Sequence, residues 1–263
     1  MSMEQQPWAL ILGGSSGMGL ATAKKLAEHK KPIIIVHRDR RGSMKTIEPE
    51  FEKLKEQTKV VTLNQNALSR EGRQEILAKL SDVLGDNRID LVLHSIALGN
   101  LRPAAPNEDL SENILGEEDF AQTISYMGYN ILLWTQELYS RKMFSDKAQV
   151  LGLTSEGNTK AWHGYAAVSA AKCSLESISR TIAKEFGPLG IRSNIIQAGI
   201  TNTPALQLIP GHEEMIASAI ARNPLGRLTE AEDVANSVYL LSRPEASWIN
   251  GSLIHVDGGE HIA

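Results

Sequence analysis

The sequence has almost no cysteine and no long apolar stretch. Its single cysteine, Cys173, excludes an internal disulfide and a zinc site built from several thiolates, and it is typical of a reducing compartment. No segment approaches the roughly 20 apolar residues of a membrane-spanning helix, and the sequence begins without a basic stretch that leads into an apolar run. We therefore expect a cytoplasmic protein with no membrane partner.

The chain also lacks a strong charge of either sign. Its 27 basic and 31 acidic residues give a net charge of −4, so no overall attraction to nucleic acid is expected. His94, His163 and His255 have no further ligands at metal-binding spacing, so no metal site is predicted. With 263 residues, 42% hydrophobic and 22% charged, the chain can bury a substantial core, which favours one domain over 1–263. The weak net charge favours small-molecule chemistry.

Short apolar runs alternate with longer segments of helical periodicity along the whole chain. This alternation predicts an α/β fold with a parallel sheet, and runs such as PIIIV predict strands covered on both faces. Helical spacing predicts helices at 19–30, 69–84 and 116–143. Seven strand candidates fit a Rossmann-like, doubly wound sheet: 8–14, 32–37, 59–65, 89–97, 148–155, 191–199 and 252–259.

A glycine-rich turn, LGGSSGMGLATAKKLA, joins the first strand candidate to the first helix. Its G-x3-G-x-G spacing leaves room for backbone N–H groups and a helix N-terminus to approach a pyrophosphate. A purely structural tight turn is the alternative, but the place of the motif favours a dinucleotide site. The predicted phosphate contacts are Gly13, Ser15, Ser16, Gly17, Met18 and Gly19.

The end of the second strand candidate, VHRDRR, addresses the choice of dinucleotide. His37 and Arg38 stand where a carboxylate would pair with the ribose hydroxyls of NAD, and guanidinium groups suit a 2′-phosphate. The pattern favours NADPH over NADH. Two alternatives remain at this stage: a solvated basic turn, and a strand that ends later, so that Asp39 reaches the ribose.

These motifs, together with the closing stretch NPLGRLTEAEDVANSVYLLSRPEASWINGSLIHVDGGE, resemble the short-chain dehydrogenase/reductase superfamily along nearly the whole chain. Leu12 replaces the usual threonine before the glycines, and Asn66 stands where an aspartate usually holds the adenine. The resemblance implies an oxidoreductase and a homotetramer built on paired helices such as 116–143. It also implies further cofactor contacts at Asn66, Ala67, Ser95, Ile96, Ala97, Lys172, Gly199, Ile200 and Thr203.

The stretch HGYAAVSAAKCSLE holds the candidate catalytic helix. The superfamily usually carries Tyr-x3-Lys there, with a serine seventeen residues before the lysine, and that serine is Ser155 if the lysine is Lys172. Val168 occupies the usual tyrosine position, and the nearest phenol is Tyr165. Offsets of four and seven residues return to nearly the same helix face, so Tyr165 can still share a cleft with Lys172, displaced by roughly 4 to 5 Å along the axis.

The Tyr-x6-Lys spacing is similar to that of enoyl-acyl carrier protein reductases, as are HSIAL at 94–98 and the Ala-Gly of QAGITNT at 197–203. Many members of that branch carry a second tyrosine near the position of Ser155, which this chain lacks. The resemblance implies reduction of an enoyl thioester, with acyl carrier protein as a candidate partner. Tyr165 would stabilise an enolate, Lys172 would hold the nicotinamide ribose and favour the charged phenol, and Ser155 would orient substrate or Tyr165.

The segment 203–223 interrupts the strand–helix rhythm after the sixth strand candidate, and we expect it to cover the substrate. The candidate substrate contacts are Gly99, Tyr165, Leu206, Leu208 and Ile209. Two other functions remain open at this stage: a 3-oxoacyl or other ketone/alcohol oxidoreductase, and a catalytically silent nucleotide-binding protein. For the reductases, the substrate is an acyl thioester or another small carbonyl compound.

Overall fold

The computed structural model describes residues 6–106, 114–209 and 211–263, and within them the chain forms one seven-stranded parallel sheet. The strands are β1 Trp8–Leu12, β2 Ile33–His37, β3 Val60–Asn64, β4 Ile89–His94, β5 Phe144–Ser155, β6 Ile191–Ala198 and β7 Leu253–Val256. Their order is β3-β2-β1-β4-β5-β6-β7. The predicted doubly wound, Rossmann-like sheet in a single domain is confirmed.

Helices cover both faces of the sheet, which explains the apolar strands. The helices are α1 Gly17–Glu28, α2 Met44–Lys55, α3 Arg70–Leu84, α4 Glu117–Thr123, α5 Asn130–Ser140, α6 Ala166–Glu185, α7 His212–Arg222 and α8 Ala231–Leu241. One core packs α3, α5 and α6 on the sheet, and the other packs α1, α2 and α8 on the opposite face. No helix within the described ranges has the length and apolarity needed to cross a membrane.

Several element boundaries differ from the sequence-based expectation. β1 ends at Leu12 because Gly13 has a φ of 90°, outside the extended region. β4 ends at His94 instead of residue 97, and β5 begins at Phe144, where Ile89 pairs with Phe144. β7 covers only 253–256 of the expected 252–259, and α1 covers 17–28 instead of 19–30.

The single helix expected at 116–143 is wrong. The structure has α4, then a π-helix at Ile124–Tyr129, then α5, which ends at Ser140. The π-helix lies against α6, and a Cβ at Gly128 would be 2.9 Å from Ser174 Oγ. This close approach to α6 is a tertiary contact, about which the apolar periodicity of the segment carries no information. Most of the large apolar side chains that suggested a subunit interface are buried within the chain: Met127, Ile131, Trp134 and Leu138.

Candidate active site

A cavity of about 520 Å³ opens beyond the carboxyl ends of β1, β2, β4, β5 and β6. It lies where the strand order reverses between β1 and β4, the place at which doubly wound sheets bind ligands. Every predicted site residue except Gly19 lines it. The lining set is Gly13, Ser15, Ser16, Gly17, Met18, His37, Arg38, Asn66, Ala67, Ser95, Ile96, Ala97, Gly99, Ser155, Tyr165, Lys172, Gly199, Ile200, Thr203, Leu206, Leu208 and Ile209.

The glycine-rich turn fits an anionic group. α1 begins at Gly17, and the side chain of Ser16 makes no capping hydrogen bond, so it leaves the first N–H groups of the helix to a ligand. A Cβ at Gly13 would lie 2.5 Å from Ser95 O, so only glycine lets the turn approach the end of β4. Gly19 is buried, and a Cβ there would meet Gly13 O at 2.1 Å. Its role is therefore packing of helix against turn, and the predicted direct contact is corrected.

At the end of β2, the exposed Arg38 lines the cavity. His37 is buried: its ring packs 5.2 Å from that of Phe51, and its Nδ1 shares a 2.8 Å hydrogen bond with Asp39 Oδ2. The backbone N–H of Asp39 donates to Asn64 Oδ1. The Asp39 carboxylate is thus engaged by the histidine, and Arg38 is the charged side chain that β2 presents to the cavity.

Hydrogen bonds hold the turn after β3 in place. Asn66 Oδ1 accepts the N–H of Leu68 at 3.1 Å, so this side chain stabilises its own turn. The carbonyl oxygen of Ala67 accepts hydrogen bonds from Trp134 Nε1 at 3.0 Å and from Asn130 Nδ2 at 3.4 Å. Because both donors belong to α5, the helix that follows the π-helix holds the part of the cavity that lies at the end of β3.

Asn130 also contacts the end of β4. His94 Nε2 donates to Asn130 Oδ1 over 3.2 Å. Burial lowers the pKa of His94 to about 4, and the positive charge of Lys172 acts in the same direction. A neutral His94 therefore links β4 to α5 without placing a second cation beside Lys172.

Ser155, Tyr165 and Lys172 come together at the ends of β5 and α6. Tyr165 Oη and Ser155 Oγ are 3.3 Å apart, and Lys172 Nζ donates to Leu153 O at 2.7 Å. The sequence had suggested that Tyr165 lies within the catalytic helix. In the structure it lies directly before α6, which begins at Ala166. Its carbonyl already accepts the N–H of Ser169 at 2.8 Å, so the helix still fixes its backbone.

Burial decides the charge of these groups. It raises the pKa of Tyr165, which the hydrogen bond with Ser155 only partly offsets. It lowers the pKa of Lys172 to about 8, against the opposing charge of Glu176. The expectation that Lys172 favours a charged phenol is therefore wrong for this state of the site. A neutral phenol is a hydrogen-bond donor, which suits a group that stabilises developing negative charge.

Two residues that the sequence analysis missed hold the phenol ring. The rings of Trp162 and Tyr165 meet edge to face at 5.2 Å. A Cβ at Gly157 would lie 2.4 Å from Tyr165 Cε1 and 3.2 Å from the Trp162 ring, so the glycine lets the turn approach both rings. Val168, at the usual tyrosine position, is buried in the cavity wall. An aromatic side chain three residues before the phenol was the available signal for Trp162, whereas Gly157 had none.

The part of the cavity beneath the segment 203–223 is lined by apolar side chains. Leu206 and Ile209 are buried there, whereas Leu208 is 74% exposed and contributes only to the rim. Met127 of the π-helix and Met215 of α7 also line the cavity and were not predicted. The expected covering segment, 203–223, consists of a short 3₁₀ turn at 206–208 followed by α7, and Pro210 lies outside the described residues.

A family model described as Enoyl-(Acyl carrier protein) reductase matches residues 13–261. The chain belongs to the short-chain dehydrogenase/reductase superfamily. It is an oxidoreductase of that superfamily, and its resemblance to enoyl reductases is confirmed. The match covers the glycine turn, the Ser155–Tyr165–Lys172 group and α7, so it includes the whole cavity.

Individual relatives of this short-chain dehydrogenase/reductase include reductases of enoyl and dienoyl thioesters. A probable 2,4-dienoyl-CoA reductase [(2E)-enoyl-CoA-producing] of Bacillus subtilis is 30% identical over 96% of each chain. The enoyl-[acyl-carrier-protein] reductase [NADH] FabI of Salmonella typhimurium is 31% identical over 69% of this chain and 73% of its own. The crystal structure of an enoyl-[acyl-carrier-protein] reductase (NADH) from Aquifex aeolicus has a TM-score of 0.83 at 24% identity, covers 98% of both chains, and supports the fold alone.

Proposed function

We propose that this oxidoreductase reduces the carbon–carbon double bond of an enoyl thioester with NADPH. The observation that carries the proposal is the place of Tyr165: a buried, protonated phenol in the cavity wall, three residues before the usual position, which Val168 fills. The Tyr-x6-Lys spacing, the family model and the two named reductase relatives support the same chemistry.

The displacement of the phenol suits the reaction. In ketone reduction, hydride reaches the carbon whose own oxygen is protonated, so donor and hydride act on adjacent atoms. In enoyl reduction, hydride reaches the β-carbon, and negative charge develops on the thioester oxygen several bonds away. A hydrogen-bond donor set farther along the cavity is aligned with that oxygen, and its contribution is made in the transition state.

The residues around the cavity divide the work. When bound, the dinucleotide supplies the hydride. The turn from Gly13 to Met18 and the N-terminus of α1 would hold its phosphates, and Lys172 would hold the nicotinamide ribose. Ser155 orients Tyr165 through their 3.3 Å contact, and Tyr165 donates a hydrogen bond to the enolate oxygen. A proton from solvent then adds to the α-carbon, which completes the reduction. Leu206, Ile209 and the two methionines exclude water from the acyl chain.

The choice of NADPH rests on Arg38, which lines the cavity while His37 holds the Asp39 carboxylate. NADH is the alternative, since the names of the Salmonella and Aquifex proteins specify it. We expect NADPH to bind at least about tenfold more tightly, a difference of about 1.4 kcal/mol. Arg38→Leu should weaken NADPH selectively, with the exposed Arg88→Leu as a control at the other end of the sheet. Equal or tighter binding of NADH in fluorescence titrations would refute the assignment.

The substrate is tested with matched compounds of one chain length: an enoyl thioester, a 3-oxoacyl thioester and a simple ketone, with NADPH oxidation as the measurement. Reduction of the ketone is the second candidate function, because Ser155 contacts Tyr165 at a place where a second tyrosine is absent. Each thioester is offered on coenzyme A and on acyl carrier protein, the carriers that the relatives' names print. Preference for the 3-oxoacyl thioester or the ketone would overturn the enoyl proposal.

A further inference from the structure

One arginine joins the covering helix to two carboxylates from distant parts of the chain. Arg222 is the last residue of α7, and its Nη2 donates to Glu156 Oε1 and to Glu260 Oε1. Both carboxylates are buried, and the arginine side chain is only 22% exposed. The three residues come from α7, the turn after β5 and the turn after β7, so their contact is a purely tertiary feature.

Glu156 lies on the donor side of the cavity. It follows Ser155 directly and lines the cavity. Its second carboxylate oxygen pairs with Lys160 Nζ at 2.8 Å. The contact with Arg222 therefore ties α7 to the strand end that carries the serine of the proposed site.

Glu260 lies on the cofactor side. Its Oε2 accepts the backbone N–H of Ile200 at 3.0 Å, and a Cβ at Gly199 would stand 2.6 Å from the same oxygen. Gly199 and Ile200 both line the cavity. Arg222 is the cation that the described part of the chain places against Glu260. The position of the turn at 199–200 thus depends on a carboxylate that α7 neutralises.

The two buried carboxylates have the charge of Arg222 beside them only while α7 lies in this position over the cavity. A buried carboxylate without a cation or sufficient hydrogen bonds is strongly destabilised, and removal of one partner of a buried ion pair leaves that cost in place. Met215 and Ala219 pack α7 on the apolar cluster around Tyr165, so the same helix supplies the cover and the cation.

We propose that Arg222 is a positioning residue that holds α7 over the cavity and, through Glu260, sets the cofactor-binding turn at Ile200. The effect on turnover rests on the proposed reduction. The effects on α7 and on dinucleotide affinity need no substrate, so a failure of the two proposals can be told apart.

The test compares Arg222→Gln with a control, Arg227→Gln. Arg227 lies in the loop after α7, and its substitution breaks an exposed ion pair with Asp233 of α8. Hydrogen exchange of the α7 amides should accelerate at least about tenfold in Arg222→Gln, while exchange in β4 and β5 stays slow. NADPH affinity, titrated without substrate, should fall about threefold or more. With a substrate that the wild type reduces, KM should rise more than kcat falls. Arg227→Gln should match the wild type throughout.

A rescue separates positioning from general loss of stability. Adding Glu260→Gln to Arg222→Gln removes the unpaired buried charge and leaves two amides that can hydrogen-bond. NADPH affinity should then recover at least half of the loss in free energy. Arg222→Lys keeps the charge on a shorter side chain, so hydrogen exchange of its α7 amides should be intermediate between the wild type and Arg222→Gln. If Arg222→Gln does not fold, Arg222→Lys replaces it in the test. Wild-type exchange in α7 with wild-type NADPH affinity in Arg222→Gln or Arg222→Lys would overturn the proposal, as would a double variant no better than the single one.

Discussion

At the scale of single residues, the site depends on a neutral phenol and a buried amine that have different hydrogen-bond partners within the described residues. Tyr165 contacts Ser155, whereas Lys172 donates to the backbone at Leu153. Burial raises the pKa of the phenol and lowers that of the amine, so both groups are shifted toward their uncharged forms. Each group therefore has a separate task, and each task has its own measurement.

Tyr165→Phe tests the donor. Loss of a preorganised hydrogen bond to developing charge should lower kcat by about 100-fold or more, while the dissociation constant of NADPH changes little, since the phenol touches only substrate in the proposed complex. Steady-state kinetics and fluorescence titration give the two values. Tyr139→Phe, in an exposed tyrosine of α5, is the control. Full activity of Tyr165→Phe on every substrate of the wild type would eliminate Tyr165 as the donor.

The lowered pKa of Lys172 leads us to expect that cofactor affinity depends on pH. Its pKa is lowered to about 8, so the ammonium group is present below that pH and is lost as the pH rises through it. If the ammonium holds the ribose, the dissociation constant of NADPH should rise about tenfold between pH 7 and pH 9. Lys172→Met should bind weakly at both pH values. Lys184→Met, in an exposed lysine of the same helix, should keep the wild-type profile, and a flat wild-type profile would contradict the assignment.

At the scale of elements, the turn after β5 does more than connect β5 to α6. It carries Glu156 toward Arg222 and places Gly157 against the ring of Tyr165. The ring of Tyr165 therefore packs against both this glycine and Trp162. The orientation of the phenol is thus a property of this turn as much as of α6.

Gly157→Ala tests that role. The new methyl group would lie 2.4 Å from Tyr165 Cε1, too close for either to stay in place. We expect kcat to fall about tenfold and the free energy of unfolding to fall by about 1 to 3 kcal/mol. Gly42→Ala is the matched control, because a Cβ there meets nothing within 4 Å. Urea unfolding and steady-state rates measure both effects, and unchanged kcat in Gly157→Ala would show that the phenol tolerates displacement.

The elements also show what the sequence could and could not predict. Apolar runs are local signals, and they predicted the sheet. The glycine spacing placed a tight turn between β1 and α1, and the family resemblance, not periodicity, pointed to Ser155, Tyr165 and Lys172, which the fold brings together. The π-helix at Ile124–Tyr129 and the Arg222 contacts depend on side chains far apart in sequence. Strand ends were misplaced where a backbone conformation, such as that of Gly13, ends a run whose composition stays apolar. Local periodicity carries no information on such contacts.

At the scale of the whole molecule, the exposed apolar side chains bear on assembly. The helix expected to pair subunits is largely buried within the chain, but apolar side chains stand exposed around β7, with Trp248 98% exposed and Ile262 77% exposed. Exposed apolar side chains of this size are typical of interfaces. We expect sedimentation at micromolar concentration to give about four times the 28.7 kDa of one chain. A monomer would contradict the homotetramer.

The strand order has a consequence for biosynthesis. β1 pairs with β2 on one side and with β4 on the other, where Ala9 meets Leu91. On the ribosome, β1, β2 and β3 emerge well before β4, so an apolar strand edge waits for its neighbour while translation proceeds at about 5 to 20 residues per second. Such an edge attracts other nascent chains and chaperones. Glu260 follows β7, so the contact that fastens α7 forms only after all seven strands of the sheet have left the exit tunnel.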